Sequence, residues 1–102
     1  MHTVITARRC EIPDALKTRA EAIVERLGQF ASRPVECTVL FESEAKSATA
    51  EVRLHVPRGK HFVAKGEGAD HRSALDRAEE KLRHQLDKAF LRPRNRAKAD
   101  RA

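Results

Sequence analysis

The chain contains no tryptophan and no tyrosine, and only four phenylalanines among 102 residues. A surface that binds bases by stacking them on aromatic rings has little to be built from here. The core must come mainly from Val, Ile, Leu and Ala. Cysteine is scarce too: Cys10 and Cys37 form neither a C-x-x-C pair nor a disulfide framework, so they read as free thiols of a reducing compartment. No run of about 18 apolar residues and no N-terminal apolar h-region occurs, which points away from membrane insertion and secretion and toward the cytosol. Also missing are G-x-x-x-x-G-K-[ST], G-x-S-x-G and H-E-x-x-H. With no catalytic constellation, neither an enzyme nor a cofactor is expected. A chain of this length supports one core and hence one domain.

Positive charge is what the chain has in excess, at +6. That balance suits a polyanionic partner such as nucleic acid or an anionic membrane surface. The excess is unevenly placed. The end of the chain holds Arg92, Arg94, Arg96, Lys98 and Arg101 against Asp100, whereas residues 1–90 carry 16 basic and 14 acidic groups. The expected organisation is therefore a domain over 1–90 followed by a basic, disordered tail over 91–102. Inside the domain, function must rest on where charges lie rather than on their sum.

The opening HTVITA is β-branched and strand-like. Pro13 then suits the first turn of a helix, where its missing N–H goes unneeded. Leu16, Ala20, Ile23, Leu27 and Phe30 recur at helical spacing, with Val24 beside them, and Arg33-Pro34 closes the segment. In VECTVLFES, Val35, Cys37, Val39 and Phe41 alternate with polar positions, and Ala48, Ala50, Val52, Leu54 and Val56 repeat the pattern. Pro57-Arg58-Gly59 reads as a three-residue hairpin turn. That turn pairs Val56 with Lys60, His55 with His61, Leu54 with Phe62 and Val52 with Ala64. Gly66-Glu67-Gly68 is expected to be a turn that ends the fourth strand, and Asp70 to be the N-cap of a helix starting at His71. Leu75, Ala78, Leu82, Leu86 and Ala89 give that helix its buried face, with Phe90 at the edge. The order is βαβββα, an α+β fold: a four-stranded, mostly antiparallel sheet with both helices packed on one face and the other face open.

The last helix sorts its charges by sign. Asp76, Glu80 and Asp87 fall on one flank, while Arg77, Lys81, His84 and Lys88 line the other at i, i+4, i+7 and i+11. Such a ridge suits contact with a phosphate backbone. The same residues also fit an ordinary solvated helix supported by Glu79–Arg83 and Glu80–His84 pairs. Arg19 and Arg26 on the first helix, and Arg8, Arg9 and Arg33 near its ends, would extend a positive surface. Arg53, His55, His61 and Lys65 are expected on the open sheet face, making it basic. His55 and His61 alone lack the third ligand that a metal site needs, so no metal is expected.

ITARRCEI followed by PDAL, the segment VRLHVPRG, and EGADHRSALDRAEEKLRHQLDK together resemble the family of ribosome hibernation-promoting factor and ribosome-associated inhibitor A, also called sigma-54 modulation proteins. The likeness spans about residues 1–90. Its most specific part is met by Gly68, Asp70, Ala74, Leu75, Asp76, Lys81, Leu82, Gln85, Leu86 and Lys88. The resemblance implies a fold similar to a double-stranded RNA-binding domain, and binding to the 30S subunit and the 70S ribosome through 16S rRNA in the decoding channel. There such proteins sterically block mRNA and tRNA in stationary phase or stress. Lys81 and Lys88 match the family's basic contacts directly, and Arg77 and His84 share their ridge. Arg72 stands where the family often has an aromatic residue, and the chain resembles the short form that lacks a dimerising C-terminal domain. A protein monomeric in isolation is the corresponding expectation. Two other classes stay open at this point: a protein-interaction module, such as one modulating a sigma factor through the open sheet face, and a generic binder of duplex RNA.

Overall fold

The computed structural model describes residues 1–30, 36–56 and 60–89. Six elements follow in the order β1 (His2–Arg8), α1 (Asp14–Phe30), β2 (Glu36–Glu44), β3 (Ser47–Val56), β4 (Lys60–Gly68) and α2 (His71–Ala89). The βαβββα order is as expected. The Pro57–Gly59 turn, the end of the first helix at Arg33-Pro34, Phe90 and the basic tail lie outside the described residues.

The four strands form one sheet in the order β1-β2-β3-β4. β1 runs parallel to β2, as the intervening helix requires, and the other two pairings are antiparallel. Val56 pairs with Lys60, His55 with His61, Leu54 with Phe62 and Val52 with Ala64, the register that strand alternation predicts. The β2–β3 connection is a two-residue hairpin, Ala45-Lys46, in which Ala45 takes a left-handed φ of 33°.

Alternation sends Cys37, Val39 and Phe41 of β2 and Ala50, Val52, Leu54 and Val56 of β3 to the helix side, all buried. Against them pack Leu16, Ala20, Ile23, Val24 and Leu27 of α1 and Ala74, Leu75, Ala78, Leu82 and Leu86 of α2. Ala89 is exposed, since α2 has by then run past the core. Both helix starts are built locally. The Pro13 carbonyl accepts from the Leu16 and Lys17 amides at 3.0 and 3.1 Å, which places Pro13 just ahead of the first turn. Asp70 accepts the Ser73 amide on its Oδ1 at 2.7 Å and the Ala74 amide on its carbonyl at 3.1 Å, so it is the N-cap of α2.

Gly66-Glu67-Gly68 is not a turn. β4 continues through all three residues, Gly66 opposite Ala50 and Gly68 opposite Ala48. The physical reason for glycine at 66 is helix approach: a Cβ there would land on the Ala74 carbonyl oxygen and the Ala78 nitrogen of α2. Only a bare backbone lets α2 lie this close to the strand.

Candidate nucleic-acid interface

The two flanks of α2 face different neighbours, and this explains their sorted charges. Of the acidic residues, Asp76 and Glu79 face α1. Arg19 donates from Nε and Nη2 to Asp76 Oδ1 at 3.1 and 2.8 Å. Arg26 donates to Glu79 Oε2 at 3.0 Å, and Arg83 reaches the same oxygen at 3.1 Å. Glu79 is the buried member of this group, its side chain only 10% exposed, and a carboxylate so placed requires the positive charge around it. Arg19 and Arg26 thus lie between the helices, with their charges already met by carboxylates.

The basic flank overhangs β4, an edge strand of the sheet. Arg77 donates to the Glu67 carbonyl oxygen, Lys81 to that of Lys65 at 2.9 Å and Gln85 to that of Val63 at 2.8 Å. These acceptors are neutral. The carbonyls fix the positions of both cations without cancelling their charge, and neither Arg77 nor Lys81 is ion-paired among the described residues. His84 and Lys88 continue the same side of the helix and are exposed. Arg77, Lys81, His84 and Lys88 therefore come together as one exposed ridge.

Arg8 and Arg9 stand at the far end of β1, both exposed, with Arg8 opposite Glu42 and Arg9 in a left-handed conformation at φ 59°. The start of α2 reaches the same end of the sheet. His71 Nε2 lies 3.0 Å from the Glu42 carbonyl oxygen, and its ring meets Phe41 edge-on at 5.9 Å. Arg72 lines a cleft with Pro13, Leu16, Arg19 and Asp70 between the two helix starts. Sequence patterning passed over His71 because its partner is a backbone carbonyl 29 residues away.

The open sheet face does carry Arg53, His55, His61 and Lys65, yet it is not basic. Glu36, Thr38 and Glu51 sit directly beside them in register, Arg53 is bonded to Glu51 at 3.2 Å and Lys65 to Glu44 at 3.2 Å. Glu44 also holds the Lys65 ammonium above its ordinary pKa. Arg53 thus meets a carboxylate two residues back on its own strand and Lys65 one from β2, so both cations of this face have an acidic partner. The His55 and His61 rings meet at 4.2 Å with their planes tilted by 58°, and among the described residues no three His, Cys, Asp or Glu side chains are grouped to hold a metal ion. Val63 on this face is 41% exposed. Among the described residues no helix is long and apolar enough to cross a membrane.

Fold and charge layout define a small two-layer α+β module that presents a basic helix flank beside a charge-balanced sheet. Residues 3–92 match the family described as Sigma 54 modulation protein / S30EA ribosomal protein, and the chain belongs to that family. It is 33% identical over 88 residues to the ribosome hibernation promoting factor of Escherichia coli K12, covering 86% of this chain and 92% of that protein, and equally to the Shigella flexneri protein of the same name. Among solved structures it is similar to the N-terminal domain of Thermus thermophilus Protein Y, with a TM-score of 0.75, 28% identity, and coverage of 87% of this chain and 99% of that one. A ribosomal subunit interface protein from Coxiella burnetii shares the fold with a TM-score of 0.77 at 21% identity, over 90% of this chain and all of that one.

Proposed function

We propose that this protein is a ribosome hibernation factor that binds 16S rRNA in the decoding channel of the small subunit and blocks mRNA and tRNA by occupying their space. The observation that carries the reading is the α2 flank, where Arg77 and Lys81 are held in place by neutral carbonyls and keep their full charge. Cations fixed before binding lose less side-chain freedom when they meet phosphate, and no internal carboxylate has to be displaced. His84 and Lys88 lengthen the same contact. Arg8 and Arg9 form a separate positive group at the end of β1, whereas Arg19 and Arg26 serve the site indirectly by fixing α2 against α1. Family membership and likeness to proteins named as hibernation promoting factors support the ribosome as the partner.

No turnover is involved, so the test is one of occupancy. Small subunits saturated with the protein are expected to lose binding of labelled mRNA and initiator tRNA. Undiminished mRNA and tRNA binding on saturated subunits would refute the steric reading. A partner protein engaging the open face is a different outcome, and it would show as association with ribosomal particles that persists after complete RNA digestion.

A further inference from the structure

An edge strand presents a row of unpaired backbone groups and is a ready template for another strand. β4 is such an edge, yet its outward carbonyls at Val63, Lys65 and Glu67 are each occupied by a side chain from α2. The donors Arg77, Lys81 and Gln85 recur every four residues along the helix, while the acceptors recur every two along the strand in the opposite direction. The spacings match: four helical residues advance about 6.0 Å and two strand residues about 6.6 Å. Gly66, which lets α2 approach this closely, is what brings the helix within reach of the edge. We propose that Arg77, Lys81 and Gln85 form a side-chain ladder that closes the β4 edge against pairing with a second copy of this chain.

The second copy is the occupant that the edge itself favours. Residues 61, 63, 65 and 67 carry the outward backbone groups, and their side chains lie on the open face. In a two-fold antiparallel pairing that sets Val63 of one copy against Lys65 of the other, His61 meets Glu67, an unlike pair. The neighbouring register sets Lys65 against Lys65 and is disfavoured. Without the ladder, the four-stranded sheet would continue into an eight-stranded one across two copies. With it, three of the four outward carbonyls are already satisfied and the helix side chains stand in the approaching strand's path. The ladder does not depend on the RNA reading, although two of its members belong to both.

Two variants separate donor capacity from charge. Arg77→Ala/Lys81→Ala/Gln85→Ala removes the ladder at exposed or half-buried helix positions where alanine favours the helix, so folding is retained. Arg77→Gln/Lys81→Gln removes the charge but keeps an amide donor, and Gln85 shows that glutamine spans the gap. The alanine variant is expected to shift from one-copy toward two-copy mass with concentration in sedimentation velocity, and the amides of Val63, Lys65 and Glu67 to exchange about tenfold more slowly than in the wild type. The glutamine variant is expected to stay at one-copy mass, whatever its affinity for ribosomes. An alanine variant that remains at one-copy mass, or associates with those amides unprotected, would overturn the proposal. So would a glutamine variant that associates as the alanine variant does, because charge repulsion and not the ladder would then keep copies apart.

Discussion

Individual residues here hold positions that their chemistry alone explains. Asp70 caps α2, and the Ser73 backbone and side chain that donate to it, with Arg72 nearby, hold its carboxyl below the usual aspartate range. A carboxyl with a depressed folded pKa contributes stability that is fully present above the unfolded value of about 3.9 and is lost as pH falls through the folded value. Asp70→Asn keeps a capping acceptor but does not titrate, so its urea midpoint is expected to fall less steeply than that of the wild type as pH drops below about 4. Cys37 behaves in the opposite sense. Burial pushes its thiol from an ordinary 9.0 up to about 11, so folding favours the protonated form. Its contribution is present below pH 9.0 and lost as pH rises toward about 11. Cys10, half-buried at the surface, is expected to react with iodoacetamide at pH 8 while Cys37 does not, which mass mapping of the modified folded protein checks.

At the scale of elements, the closest fit is α2 against β4. Adding a single methyl at Gly66 forces the strand against the helix backbone at Ala74 and Ala78. Gly66→Ala is therefore expected to destabilise the fold by about 1–3 kcal/mol, the usual range for overpacking, measured by urea unfolding. Much of this level was legible beforehand. The β3–β4 register followed from alternation that agreed on both sides of one Pro-Arg-Gly segment, and the Asp70 cap from its place before a periodic run. Other features were hidden for identifiable reasons. The β2–β3 turn uses Ala45-Lys46, which carries none of the Gly or Asn signals of a positive-φ turn. Gly66 and Gly68 resemble punctuation, and their true role depends on a helix that packs across the strand. The sorting of charge along α2 was visible, but its causes were not, since Arg19 and Arg26 lie 57 and 53 residues away from their partners and β4's carbonyls carry no sequence signature at all.

At the scale of the whole molecule, three groups of cations among the described residues differ in how their charge is met. Those between the helices are compensated, Arg53 and Lys65 on the sheet face are paired with Glu51 and Glu44, and those on the outer flank of α2 are not ion-paired. Net charge in the domain is small, so placement and not quantity directs it toward a polyanion. Salt should weaken ribosome binding steeply, and each phosphate contact removed should lower the slope of log affinity against log salt by about 1. The central claim is that this flank, and not the charge of the tail or the open face, holds the protein on the small subunit. Co-sedimentation of Lys81→Glu/Lys88→Glu with purified 30S subunits at moderate salt tests it most directly. Binding at least about tenfold weaker than wild type is the expected result, and co-sedimentation equal to wild type would contradict the account.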